Sequence, residues 1–242
     1  MTHEMKKIII IGATSGIGRE LAVLYASHKY EIGLIGRRTN LLEELSINLP
    51  TKTYPIALDI RDTSKAIYAF KNLIKTMGHV DIIVISAGIG YLNEALDWDK
   101  ELETINTNVI GFSAMAQVSV KHFIKQGYGH LVGISSIASI RGSNISPAYN
   151  ASKSYISNYL SGLRKKMKKS KLPIYITDIQ PGLVDTSMAK GDGLFWVQPT
   201  QKAAQQIYHA IKKRKRKAYI TKRWMLIAWL IKILPEFFYN KI

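Results

Sequence analysis

The chain has 242 residues, 47% hydrophobic and 21% charged, which suits one globular α/β domain with a large core. It contains no cysteine, which excludes disulfides, thiolate metal centres and cysteine nucleophiles and fits a reducing compartment such as the cytoplasm. Thirty-four Lys and Arg against seventeen Asp and Glu leave a formal charge of +17, so an anionic partner is expected: a phosphorylated cofactor, an acidic lipid surface or nucleic acid.

Short runs rich in Ile and Val alternate with segments of helical period along almost the whole chain. The first run follows Met5-Lys6-Lys7 but is too short for a signal peptide, because Gly12 to Gly16 interrupt it at once. Strands are predicted over 7–12, 31–36, 53–59, 80–86, 130–135, 174–180 and 218–221. Helices are predicted over 16–29, 39–48, 63–77, 99–126, 147–168 and 200–213. The strand segments are apolar on both faces, as in a parallel sheet covered on both sides. The expected fold is a single doubly wound, Rossmann-type parallel α/β sheet of about seven strands with helices on both faces, over residues 1–221. Residues 185–199 read as a loop carrying Phe195 and Trp196, at a place where such folds form substrate pockets.

Residues 222–242 form an apolar and basic tail. From Trp224 to Leu234 a helix would span about 16 Å, too short to cross a bilayer. A run that is apolar all round must be buried somewhere. Two destinations are open: protein, at a subunit interface or beside the substrate pocket, or an anionic membrane surface. The basic run 212–217, with Lys222 and Arg223, would help the second. That run lacks interleaved aromatics and any nucleic-acid motif, so nucleic acid is not the expected partner.

Three local patterns carry chemistry. The segment Gly12-Ala13-Thr14-Ser15-Gly16-Ile17-Gly18 joins the first strand to the first helix. Glycines there let backbone N–H groups approach a pyrophosphate at a helix N-terminus, although a glycine triplet alone is equally a tight turn. After the second strand come Arg37 and Arg38 with no acid at the turn, which favours NADP(H) over NAD(H), because a guanidinium suits a ribose 2′-phosphate. Ser15 stands where a further basic residue would have helped. Tyr149 and Lys153 lie four residues apart at the start of a helix and so share one face. An ammonium beside a phenol favours the phenolate and makes tyrosine usable as a general acid/base. The histidines show no metal-ligand spacing, and no metal is expected.

Taken in order, Gly12-x-x-x-Gly16-x-Gly18, Asn108-Val109-Ile110-Gly111, Ser135-Ser136, Tyr149-x-x-x-Lys153, Pro181-Gly182 and Thr186 resemble the short-chain dehydrogenase/reductases. The resemblance runs from residue 7 to about 221. It implies a hydride transfer between NADP(H) and a carbonyl or secondary alcohol. Tyr149 would be the general acid/base, Lys153 its partner and a ligand of the nicotinamide ribose, and Ser136 the substrate-orienting serine. Asn108 would hold a water of the proton relay. Asp59 would bind the adenine amino group and Thr186 the carboxamide. Thr14, Ser15, Ile17, Ala87, Gly88, Pro181 and Gly182 would line the cofactor. The resemblance also implies a homodimer or homotetramer. Two departures stand out: Ile11 where threonine is usual, and Ser86-Ala87-Gly88 where Asn-Ala-Gly is usual. The competing expectation is a catalytically silent dinucleotide-binding or basic-surface interaction protein, which would have no need of the Tyr149–Lys153 pair.

Overall fold

The computed structural model describes residues 5–186 and 196–239. The elements run β1 (Lys7–Ile11), α1 (Gly16–Ser27), β2 (Glu31–Gly36), α2 (Thr39–Asn48), β3 (Thr53–Ala57), α3 (Thr63–Met77) and β4 (Ile82–Ile85). After these come α4 (Trp98–Ile105), α5 (Phe112–Gln126), β5 (Gly129–Ile134), α6 (Pro147–Ser170), β6 (Ile174–Pro181), α7 (Thr200–Lys212), β7 (Lys217–Ile220), α8 (Lys222–Ile233) and α9 (Glu236–Tyr239).

Four consecutive isoleucines show why the sheet is covered on both sides. Strand side chains alternate between faces, so Ile8 and Ile10 enter one apolar core while Ile9 and Ile11 enter the other. All four are at most 1% exposed, which only a strand buried on both faces allows. The first core draws on α1, α2 and α7, the second on α3, α5 and α6. Local signals set several of the helix boundaries. The Asp62 carboxylate accepts from the Lys65 amide at the start of α3, and Gly78 ends that helix at φ +80°. Pro147 opens α6, where its missing N–H costs nothing.

The seven strands form one parallel sheet in the order β3-β2-β1-β4-β5-β6-β7. The Rossmann-type doubly wound fold is therefore present as expected. The chain leaves β1 towards β2 and β3, then returns to place β4 on the other side of β1. This switch point opens a crevice beyond the carboxyl ends of β1 and β4, where ligands bind in open α/β sheets.

One element differs from its expectation. The segment read as a single helix over 99–126 is α4, a π-helical turn over Asn106–Gly111, and α5. The wider turn carries Asn108, whose side-chain amide bonds neighbouring groups through both its oxygen and its nitrogen. Its Oδ1 accepts from Ile89 N at 2.9 Å, and its Nδ2 donates to Ile89 O at 2.7 Å and Ser152 Oγ at 2.9 Å. Gly111 closes the turn against Ile60, where a Cβ would come within 2.8 Å of that side chain. Widened single turns of this kind are frequent at functional sites. Among the described residues, no helix is long and apolar enough to cross a membrane.

Candidate active site

A cavity of about 890 Å³ occupies the crevice at the switch point, in the upper part of the ~300–1,000 Å³ range of ligand pockets. Gly12, Thr14, Ser15, Gly16, Ile17, Arg37, Arg38, Asp59, Ala87, Gly88, Ser136, Tyr149, Lys153, Pro181, Gly182 and Thr186 all line it. Of the site residues expected from sequence, Gly18 and Asn108 do not. Gly18 packs so close that a Cβ there would lie 2.0 Å from Gly12 O, so it holds α1 against β1. Asn108 lies behind the wall, clasping the Ile89 backbone. Phe195 lies outside the described residues, as do 187–194.

At one end the glycine segment turns from β1 into α1. Gly12 has φ +94°, and a Cβ there would meet Ala87 N at 2.5 Å. Gly16 has φ +54° and starts α1, leaving backbone donors at a helix N-terminus. A Cβ on Gly16 would sit 3.1 Å from Thr186 Cγ2, so the loop after β6 closes over this turn.

The two arginines after β2 have different partners. Arg38 Nη2 donates to Thr14 Oγ1 and to Ser15 Oγ, both at 2.8 Å, and so lies against the glycine segment. Arg37 faces Glu103 at 3.9 Å. Glu103 also receives Arg61 Nη1 at 2.7 Å, while Arg61 holds Asp59 through Nε and Nη2. Partial burial pushes the Asp59 carboxyl up, but the hydrogen bonds and charge of Arg61 outweigh it and hold the group below its usual range. The Asp59–Arg61–Glu103 chain is a feature that sequence reading missed, because Glu103 reaches it from α4, more than forty residues away.

At the other end, Ser136 from the end of β5 meets Tyr149 and Lys153 from α6. The Ser136 hydroxyl lines the cavity together with the Tyr149 phenol, accepts from Ala138 N at 3.1 Å and donates to Pro181 O at 3.4 Å. Lys153 is 4% exposed, and its Nζ donates to Ile134 O at 3.2 Å and sits 5.6 Å from the centre of the Tyr149 ring. Burial pushes the Lys153 ammonium down to about 8, against an opposing pull from Asp178. Burial pushes the Tyr149 phenol up, and the nearby Ser136 hydroxyl draws it part of the way back. The lowering expected from the lysine is thus not the direction found in this geometry, where burial sets the shift.

Beneath these groups lies a buried polar cluster built on Asp178 of β6, which is 1% exposed. Its carboxylate accepts from Ser135 Oγ, from Ser157 Oγ at 2.7 Å and from Gln180 Nε2 at 3.0 Å. Lys217 lies 3.8 Å away. A lone carboxylate inside the otherwise apolar stretch Ile174-Tyr175-Ile176-Thr177-Asp178-Ile179 was the available sequence signal. The far wall of the cavity is Ile231 and Tyr239, from the C-terminal segment.

This chain belongs to the short-chain dehydrogenase/reductase family of oxidoreductases. It matches the short chain dehydrogenase profile over residues 6–194. It is 29% identical to an uncharacterized oxidoreductase of Staphylococcus epidermidis over 188 residues, 77% of this chain and 81% of that one. An uncharacterized oxidoreductase of Mycobacterium tuberculosis is 28% identical over 242 residues, 95% of this chain and 94% of the relative. Among solved structures, a short-chain dehydrogenase of Streptomyces avermitilis superposes with a TM-score of 0.82 at 21% identity, over 95% of this chain and 92% of that one. One from Sphingobium yanoikuyae in complex with NADPH gives a TM-score of 0.81 at 17% identity, over 96% and 97%. A 3-ketoacyl-(acyl-carrier-protein) reductase of Brucella melitensis complexed with NADH gives 0.81 at 19% identity, over 90% and 97%.

Proposed function

We propose that this oxidoreductase transfers a hydride between NADP(H) and a carbonyl or secondary alcohol, with Tyr149 as general acid/base. The observation that carries the reading is the meeting of Ser136, Tyr149 and Lys153 in the cavity that also contains the glycine turn and Arg38. A dinucleotide fits the residues present. The turn at Gly12 and Gly16 brings backbone close where a Cβ could not stand, the N-terminus of α1 favours an anion, and Arg38 lies over Thr14 and Ser15. Gly12, Thr14, Ser15, Gly16 and Ile17 would hold the pyrophosphate, with Gly18 supporting the turn. Asp59, Ala87 and Gly88 would border the adenosine half, and Pro181, Gly182 and Thr186 the nicotinamide half. The relatives of this fold divide, one solved with NADPH and another with NADH. The pair Arg37 and Arg38, with no acid at the turn, supports the phosphorylated form.

A bound nicotinamide supplies the two-electron transfer, and the chain's own residues handle the proton. With its phenol pushed up by burial, Tyr149 is protonated at neutral pH and ready to donate to a carbonyl oxygen during reduction. The Ser136 hydroxyl, in the same cavity wall, would share that oxygen and fix its position. Lys153, titrating near 8, carries its charge at neutral pH and stabilises the phenolate that is left. Asn108, its amide bonded to the Ile89 backbone and Ser152, would also position the loop after β4.

The test is side-by-side titration of NADPH and NADH by nicotinamide fluorescence, followed by a panel of carbonyls with Tyr149→Phe as control. Tighter NADPH binding, with turnover that Tyr149→Phe abolishes, is the expected result. Binding without any turnover would instead favour a dinucleotide-binding protein that has no catalytic role.

A further inference from the structure

Helix α8 has an inner and an outer apolar side. On the inner side Trp224 and Ala228 are buried, and the indole lies so close to Gly182 that a Cβ there would be 2.3 Å from the ring. Ile231 continues this side into the cavity wall. Arg141 fastens the end of the segment: it donates to Leu234 O and lies 5.1 Å from the centre of the Tyr239 ring. The Tyr239 hydroxyl donates to Gly142 O at 2.6 Å. The outer side is as apolar as the inner. Leu226, Trp229, Leu230 and Ile233 follow the spacing of a single helical stripe, and with Met225 and Phe238 they are 50–70% exposed. An exposed apolar patch of this kind on a folded protein marks a surface that meets something.

We propose that the outer face of α8 docks on an anionic lipid bilayer. Charge selects this occupant. Between residues 212 and 239 there are nine Lys and Arg and a single acid, Glu236. Lys222, Arg223 and Lys232 belong to α8 itself and are exposed, as is the whole of 212–217. A second copy of the chain, paired through this face, would bring the same cations together without carboxylates to answer them. Anionic headgroups answer them, while acyl chains take the leucines and the indole of Trp229 takes the boundary between the two. The helix is about 18 Å long, enough to lie in the interface and too short to span the bilayer.

Because the same helix supplies Ile231 to the cavity, docking sets the substrate end of the cavity beside the lipid. The substrate class that follows is a lipophilic carbonyl, such as a long-chain aldehyde or ketone drawn from the bilayer. This corollary rests on the proposed reductase function; the docking surface does not.

The test uses the full chain with phosphatidylcholine vesicles, with and without phosphatidylglycerol. Sedimentation and tryptophan emission report binding, and NADPH is titrated in the same samples. Binding to the phosphatidylglycerol vesicles is expected, weakening as salt rises. The triple variant Leu226→Ser/Trp229→Ser/Ile233→Ser should lose at least about tenfold in partitioning while binding NADPH as before. Should that variant fold poorly, Arg223→Glu/Lys232→Glu keeps the apolar stripe and should also weaken binding. No binding at low salt overturns the proposal, and so does undiminished binding by a folded triple variant. It also fails if light scattering shows the triple variant breaking an oligomer that ignores vesicles, since the face then belongs to a second copy. Loss of NADPH binding in the wild type would strike the reductase reading and leave the docking result standing. Vesicles should lower KM for a long-chain aldehyde relative to a short one in the wild type, and not in the triple variant. Equal KM values with and without vesicles would overturn the substrate corollary.

Discussion

Arg38 reaches back across the mouth of the cavity to Thr14, its Nη2 donating to Oγ1 at 2.8 Å, and the same nitrogen holds Ser15 Oγ at 2.8 Å. The guanidinium is thereby fixed beside the turn proposed to cradle phosphate. Its neighbour Arg37 is turned towards Glu103, whose carboxylate already answers part of its charge. Of the two arginines, Arg38 is therefore the one that the proposed function would use to distinguish NADPH from NADH.

Arg38→Ala is expected to weaken NADPH binding by about 10- to 100-fold, the scale of one lost charge-assisted hydrogen-bonding group, and to leave NADH binding nearly unchanged. Arg37→Ala should cost less than Arg38→Ala. Parallel fluorescence titrations of both cofactors check this, and the opposite ranking would return the discriminating role to Arg37.

Gly90 lies under the ring of Tyr149, where a Cβ would come within 2.5 Å of Cδ2. Gly90→Ala must push the ring aside, and misplacement by about 1 Å can cost on the order of a hundredfold in rate. The expected outcome is a fall in kcat of tenfold or more (roughly, by the same reasoning) with dinucleotide affinity held within about twofold. Unchanged turnover would show that the position of this ring does not govern the reaction.

How much of this was legible in the sequence depended on the range of the interactions. The run Ile8 to Ile11 announces a strand buried on both faces, because period-two alternation needs no partner to be seen. Ser136, Tyr149 and Lys153 were legible as a set only through their resemblance to the family pattern, since the Tyr149–Lys153 spacing alone is equally that of an exposed helix pair, and the structure brings the three to one cavity. The π-helical turn was not, since one wider turn barely disturbs a 3.6-residue pattern and the partner of its Asn108, the Ile89 backbone, is tertiary. Arg37 and Arg38 are adjacent on a loop, and what separates them, Glu103 on one side and Thr14 on the other, is tertiary. The two-sided apolar character of residues 224–234 was visible, but the sequence could not say which side faces Gly182 and the cavity.

Asp178 is the buried anion nearest in influence to Lys153, and it raises the lysine's affinity for its proton. Asp178→Asn keeps the shape and removes the charge, so the Lys153 ammonium should titrate below its present value of about 8. If Lys153 must be charged to support Tyr149, the basic limb of the pH–rate profile moves to lower pH. Stability should also fall by about 1–3 kcal/mol as the bonds to Ser135, Ser157 and Gln180 weaken. A basic limb that stays in place while stability falls would make Asp178 a purely structural group.

Lys153 itself is expected to trade stability for function. Its native titration near 8 lies below the usual 10.5, so the unfolded chain binds this proton more tightly than the folded one. The charged lysine therefore destabilises the fold fully below pH 8, progressively less between 8 and 10.5, and not at all above that. Lys153→Met removes the buried charge and also the hydrogen bond to Ile134 O. Net stabilisation of about 2 kcal/mol is expected at pH 7, shrinking as the pH rises and turning into a small net loss by about pH 10.5, where only the missing bond to Ile134 O remains, together with loss of turnover. Denaturant unfolding of both proteins at several pH values measures it. A variant less stable than the wild type at pH 7 would mean that the ammonium is better compensated in its site than burial alone implies.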